Sequence, residues 1–274
     1  MKFTKMHGLG NDFIIIDGEA AQLQNPAETA RRLCQRRFSV GADGLVLLFP
    51  SAEADVEMRI FNADGSEAEM CGNALRCVAR YLAEKQAHRG EVVTVSTAAG
   101  LKEAHLLPGG LVRVNMGHPV LESERVPVSG PPRRVIAEEI EAGKEKFYYT
   151  AVSMGNPHCV IFLKEGQAAS ASSHGPLLEK HAFFPQGANV EFCRVNSPSE
   201  VVVSVWERGA GETLACGTGA CAVVVAGVLQ GLLERQAAVH LPGGTLQIEW
   251  CTNGQVYMEG PATFVYEGTV DGIQ

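Results

Sequence analysis

Two cysteines, Cys71 and Cys216, stand in the same local context: glycine follows each, then a small polar residue, then a run patterned as a helix. A helix N-terminus exposes unpaired backbone N–H groups and the positive end of the helix dipole. A thiol there ionises more easily, by about 0.3–1 kcal/mol from the dipole alone. The N–H groups of Gly72-Asn73 and Gly217-Thr218 would also form a nest for a carboxylate. Two such thiols on opposite sides of one carbon could remove a proton from one face and return one to the other. A single Cys-Gly at a helix start reads equally well as a buried cap, so the pairing carries the chemical reading. Cys34, Cys77, Cys159, Cys193, Cys221 and Cys251 read as packing residues. Neither a disulfide framework nor a zinc site is expected, since no CxxC or HxxxH-type pair occurs.

The two cysteines lie 145 positions apart, and so do other features. Gly10-Asn11 precedes the apolar run Phe13–Ile16, and Gly155-Asn156 precedes Cys159–Phe162. Asn62 aligns with Glu207, Glu67 with Glu212 and Gly44 with Asn189, all at that offset. Such a register over 60 residues indicates an internal duplication.

Each copy reads as α+β. Period-2 and apolar runs predict strands at 13–17, 45–49, 56–61, 92–97 and 111–115 in the first copy. In the second they fall at 159–163, 189–195, 201–206, 237–241, 246–250 and 255–259. Helices are expected near 26–37, 73–86, 175–182 and 217–231. The last is apolar nearly all round and should be buried inside a surrounding sheet. The helix after Cys71 carries Arg76, Arg80, Glu84 and Lys85 and reads as amphipathic. Residues 121–146, with Pro127, Pro131 and Pro132, read as a connector. The terminal strand around Phe264–Glu267 follows the end of the second repeat, so each copy is expected to give its last strand to the other. The domains would be 1–118 with 263–274, on the Cys71 side, and 119–262, on the Cys216 side. They form two pseudo-symmetric duplicated domains, each a mixed or antiparallel sheet wrapped around a central buried helix, with the active site in the cleft between.

Apolar residues make up 46% and charged residues 20%, ordinary values for a globular chain. A net charge of −8 argues against nucleic-acid and anionic-membrane partners. No run approaches the ~20 apolar residues of a spanning helix, and a cytoplasmic location is expected.

Four strings carry a resemblance: Lys5–Phe13 (KMHGLGNDF), Phe61–Glu67 (FNADGSE), Ser153–Cys159 (SMGNPHC) and Glu207–Gly219 (ERGAGETLACGTG). In order and spacing they resemble the diaminopimelate epimerases over nearly the whole chain. That family converts LL-2,6-diaminopimelate to the meso form without pyridoxal phosphate or metal, for lysine and peptidoglycan precursors. The resemblance implies that Cys71 and Cys216 are the acid/base pair and that no cofactor is used. It places Asn11, Asn62, Asn156, Asn189, Glu207 and Arg208 around the substrate, with Gly72, Asn73, Gly217 and Thr218 on the reacting carboxylate. His158 and Glu207 resemble residues that tune the thiols or hold the reacting ammonium. Arg208 suits a carboxylate and the Asn amide oxygens suit an ammonium, the two charged groups of the distal centre. Some members carry Gln where this chain has Gly44, which offers backbone alone. Tyr266 resembles a position at the family's dimer interface, so a homodimer is expected.

Three other readings bear on the same residues. Proline racemases carry His after the first Cys-Gly, where this chain has Asn73, and their substrate has no second zwitterion for Glu207-Arg208. A redox protein using the two cysteines would need no Asn/Arg cage. A binding protein for diamino acids would bind without proton exchange.

Overall fold

The computed structural model describes residues 1–86 and 88–271. The chain divides into two compact units, Met1–Asn115 with Glu259–Gln274, and Met116–Met258.

The first unit begins with β1 (Lys2–Gly8), β2 (Asn11–Asp17), α1 (Pro26–Leu33), β3 (Gly44–Phe49), β4 (Val56–Asn62) and β5 (Glu67–Ala68). It continues with α2 (Gly72–Lys85), β6 (Val92–Thr97), β7 (Gly100–Leu106) and β8 (Leu111–Gly117), whose last residues pass into the second unit. That unit holds β9 (Glu138–Ala142), β10 (Glu145–Ser153), β11 (Pro157–Phe162), α3 (Ala171–Glu179), β12 (Asn189–Ser197), β13 (Glu200–Glu207) and β14 (Gly211–Thr213). Then come α4 (Gly217–Leu229), β15 (Gln236–Leu241), β16 (Gly244–Trp250) and β17 (Val256–Pro261), which leads back to the first unit and β18 (Thr263–Thr269).

The two units repeat one pairing scheme. In the first, β1 is antiparallel to β2, β2 parallel to β3, β3 antiparallel to β4, β4 parallel to β6 and β6 antiparallel to β7. In the second, β10, β11, β12, β13, β15 and β16 follow the same sequence of directions. The register repeats as well: Phe13 faces Gly44, and His158 faces Asn189. After β8 the chain pairs with β10 through Val120 and Ser153, whose backbones exchange two 2.9 Å hydrogen bonds. After β17 it pairs with β1 as β18.

Both faces of the central strands are covered, which explains their continuous apolar runs. On one face of the first sheet, Ile14, Ile16, Leu45 and Leu47 pack with Ala30 and Leu33 of α1. On the other, α2 packs against β1, β2, β6 and β7. In the second unit Val190 and Phe192 of β12 join a core with Phe147, Tyr149 and Leu178, while α4 packs against β10, β11, β12, β15 and β16. Residues Gly219–Gly227 of α4 are all buried, and each valine among them contributes on the order of 1.5–3 kcal/mol by leaving water.

Three sequence expectations need correction. Helix α2 does carry more of a polar face than α4, but Arg76, expected on that face, is fully buried. Its Nε donates to the Pro261 carbonyl at 3.3 Å and Arg80 Nη1 to the Ala262 carbonyl at 2.6 Å, so both hold the β17–β18 corner. Residues 121–146 are not a bare connector, since they include β9 and the start of β10. Charged side chains on the open face of β9, Glu139 and Glu141, pair with Lys146 and disguise the alternation. Helix α1 stops at Leu33 and α3 begins at Ala171, several residues from the expected limits.

Candidate active site

In the first unit, Cys71 is the N-cap of α2 with extended backbone (φ −141°, ψ 118°), and Gly72 is the first helical residue. Leu75 N–H is bonded to Cys71 O at 2.9 Å, so the N–H groups of Gly72 and Asn73 precede the helical ladder. The Cys71 sulfur donates to Asn11 Oδ1 at 3.8 Å, and Asn73 Nδ2 donates to the same oxygen at 3.0 Å. The Asn11 amide is oriented from behind, because its Nδ2 donates to Asp43 Oδ2 at 3.0 Å. Asp43 in turn is tied to Arg36, and Arg36 and Lys5 both reach Asp12. Burial pushes the Asp12 carboxyl up, but hydrogen bonds from Arg36 and Lys5 outweigh it and bring it down to about 2. Asn62 closes β4 with its Nδ2 on Ser66 Oγ at 2.9 Å and is exposed.

In the second unit, Cys216 is the N-cap of α4 and is 4% exposed. Its sulfur accepts from Gly219 N–H at 3.3 Å and lies 3.4 Å from Thr218 Oγ1. Ala220 N–H is the first to bond back to Cys216 O, at 3.0 Å, which leaves Gly217 and Thr218 N–H ahead of the ladder. Burial pushes the Cys216 thiol well above the usual range, and the carboxylates of Glu207 and Glu191 push it further; Thr218 and Gly219 pull the other way. Glu207 accepts from Thr213 Oγ1 at 2.6 Å. Burial raises its carboxyl, opposed by hydrogen bonds from Thr213 and Cys216.

His158 is fully buried beside this thiol's surroundings, with Nδ1 2.7 Å from Glu191 Oε1 and Nε2 3.0 Å from Asn156 Oδ1. Asn189 is also buried; its Nδ2 donates to Pro157 O at 3.2 Å and its Oδ1 accepts from Arg208 N–H at 2.8 Å. The Arg208 side chain is exposed and donates to Gln186 O at 2.9 Å.

The structure thus gathers Asn11, Cys71, Gly72 and Asn73 in one half-site. It gathers Cys216, Gly217, Thr218, Glu207, His158 and Asn156 in the other, with Asn189 and Arg208 joined beside them. Tyr266, on β18, packs edge-on against Phe3 and belongs to neither. Asp43, Thr213 and Glu191 were missed from sequence. A lone acidic residue inside the apolar run Val190–Cys193 was the available signal for Glu191. Among the described residues no cluster suited to a metal ion occurs.

The arrangement is that of a duplicated α+β protein presenting one cysteine at a helix N-cap in each repeat. Solved structures share the fold. A phenazine biosynthesis protein of the PhzF family from Bacillus anthracis superposes with a TM-score of 0.71 at 17% identity, covering 98% of each chain. A hydroxyproline epimerase from Agrobacterium vitis gives 0.69 at 15% identity, covering 98% of this chain and 91% of the other. Sequence is more specific. The family description "Diaminopimelate epimerase" matches residues 3–122 and 150–265. Proteins of that name from Pelotomaculum thermopropionicum and Desulforudis audaxviator are 54% and 55% identical, each over 98% of both chains. The chain belongs to the diaminopimelate epimerase family.

Proposed function

We propose that the chain interconverts LL-2,6-diaminopimelate and meso-2,6-diaminopimelate by moving the proton on one α-carbon, without a cofactor, in the supply of lysine and peptidoglycan precursors. It is an isomerase in this reading. The observation that carries it is the cysteine at the helix N-cap in the same repeat position of both units, Cys71 on α2 and Cys216 on α4, in a chain of this family.

The chemistry requires both thiols to reach one α-carbon from opposite faces. One sulfur, as thiolate, takes the α-proton while the other, as thiol, delivers one; the roles exchange with direction. Cys216, raised by burial and by two carboxylates, starts as the donor. Charge that builds on the α-carboxylate falls to the N–H groups of Gly72, Asn73, Gly217 and Thr218, in the manner of an oxyanion hole. Glu207 holds the reacting ammonium. Arg208 holds the distal carboxylate, with Asn11, Asn62, Asn156 and Asn189 around the distal ammonium. His158 sets the charge around Cys216. Residues 1–118 with 263–274 form one domain and 119–262 the other, with one of the two cysteines in each. Val265 and Tyr266, exposed on β18, are the contact of a homodimer, which gel filtration tests. With a net charge of −8 and no helix among the described residues able to cross a membrane, the enzyme works in the cytoplasm without nucleic-acid or membrane partners.

The deciding experiment is incubation with LL-diaminopimelate in D₂O under reducing conditions, with L-proline as control. Deuterium entering the α-position together with meso product is expected. Exchange with proline alone, or with neither, overturns the reading.

A further inference from the structure

Helix α3 ends on Glu179, and its carboxylate reaches the β13–β14 hairpin that carries Glu207 and Arg208. Glu179 Oε2 accepts from the Trp206 indole N–H at 2.7 Å, and Oε1 accepts from the Gly209 backbone N–H at 3.1 Å. The two bonds bracket Glu207-Arg208, one on each side. The backbone carbonyl of Glu179 accepts from Ala188 N–H at 3.1 Å, next to Asn189, whose Oδ1 holds Arg208 N–H. One helix end thus ties down both strand ends that carry Asn189 and Arg208. Glycine at 175, one turn earlier on the same face, makes the approach possible: a Cβ there would stand 2.4 Å from Trp206 Cγ.

Helix stability asks for neither residue. A carboxylate in the last turn meets the negative end of the helix dipole, and a glycine inside a helix weakens it relative to alanine. Both make sense through the contact with the hairpin. The first repeat holds its own hairpin from the matching helix, with the opposite polarity. Helices α1 and α3 begin at Pro26 and Ala171, which are related by the repeat offset. Arg31 of α1 donates from Nη1 to the Asp64 carbonyl at 3.2 Å, and Asp64 is the counterpart of Gly209. That hairpin carries Asn62. In each repeat a charged side chain from the helix packed on the turn grips the same backbone position.

We propose that Glu179 is a positioning residue for substrate recognition: by gripping Trp206 and Gly209 it fixes the turn from which Arg208 meets a carboxylate of the substrate. The indole and backbone N–H groups can only donate, so each needs one of the two acceptor oxygens that Glu179 brings. Glu207 has a separate hold, since its carboxylate accepts from Thr213 Oγ1 at 2.6 Å. Loss of Glu179 therefore falls on Arg208. A guanidinium and a carboxylate pair through two parallel bonds of strict geometry, so a shifted turn weakens binding more than chemistry. The kinetic consequence rests on the epimerase reading, whereas the hold on the turn depends on no substrate.

The test uses Glu179→Ala, which removes both side-chain bonds, and Glu179→Gln, whose one acceptor oxygen can serve Trp206 or Gly209 but not both. Hydrogen–deuterium exchange of the Gly209 amide, read by NMR in resting protein, is expected to be slow in wild type. In Glu179→Ala it should be at least about tenfold faster, with the circular dichroism of a folded protein. In the LL-diaminopimelate assay Glu179→Ala should raise KM by about tenfold and lower kcat by less than about threefold. Glu179→Gln should fall between it and wild type on both readouts, and it carries the test if Glu179→Ala does not fold. Adding Glu179→Ala to Arg208→Ala should cost little more than Arg208→Ala alone, because both act through one guanidinium. Unchanged Gly209 exchange in the folded variant overturns the proposal, and so does a KM within about twofold of wild type. A loss confined to kcat, or losses that add fully in the double variant, overturn it as well. Wild-type protein with slow Gly209 exchange that leaves LL-diaminopimelate untouched sinks the epimerase reading instead, and Gly209 exchange in the variants then judges the hold on the turn.

Discussion

The two half-sites share a backbone plan and differ in what surrounds the sulfur. Around Cys71 the first neighbours are amides: Asn11 Oδ1 accepts from the thiol and from Asn73, and the charges of Asp12, Asp43, Arg36 and Lys5 stand one layer back. Around Cys216 the charged neighbours are the carboxylates Glu207 and Glu191, and Glu191 in turn meets His158 Nδ1. Cys71 is half-exposed, whereas Cys216 is buried. Duplication thus supplied two N-cap cysteines, and side-chain replacement at matching positions set different side chains around each. The carboxylates of Glu207 and Glu191 beside Cys216 favour its protonated form.

The largest expected effect tests whether the two sites are equally necessary. Cys71→Ala and Cys216→Ala should each lower epimerisation by about 10²–10⁴-fold, measured as LL/meso conversion. A variant that keeps full activity would remove that thiol from the chemistry. Next, Glu207→Gln removes a charge that raises the Cys216 thiol. The limb of the pH–rate profile that reports this thiol should move to lower pH by about one unit. The Asn62→Ala change at the matching position should raise KM and leave that limb in place. If both variants shift it alike, the electrostatic contrast fails. Third, alkylation by iodoacetamide at neutral pH, followed by peptide mass mapping, should label Cys71 about tenfold faster than Cys216. Faster labelling of Cys216 would reverse the assignment of the resting thiol.

Smaller effects separate the helices. Gly219→Ala places a methyl against Glu191 Oε1 and the Cys216 sulfur and should cost about 1–3 kcal/mol by urea denaturation. Ala74→Gly, its counterpart in α2, should cost about 1 kcal/mol through helix propensity and lost burial. Equal costs would mean that the crowding at α4 is relieved cheaply.

Much of this contrast was legible in the chain. The offset of 145 residues ties Cys71 to Cys216 and Asn11 to Asn156, because equal backbones need equal caps and turns. The apolar run of α4 marks a helix buried on all sides. Arg76 was less legible, since an arginine at helical spacing reads as solvent-facing. It is buried where its Nε meets the Pro261 carbonyl at the β17–β18 corner, with Arg80 on the Ala262 carbonyl beside it.

The sequence by itself determined the duplication, the two capping cysteines and the strand-rich class, because each depends on local spacing: the 3.6-residue period, the period of two, and Gly beside the cap. The tertiary structure alone decided what each sulfur meets. Glu191 lies 33 residues from His158 and Asp43 lies 32 from Asn11, and parallel strand pairing brings such residues together. Burial and charge act over a few ångströms of space, not along the chain, so the difference between the thiols exists only once the sheets have closed around their helices.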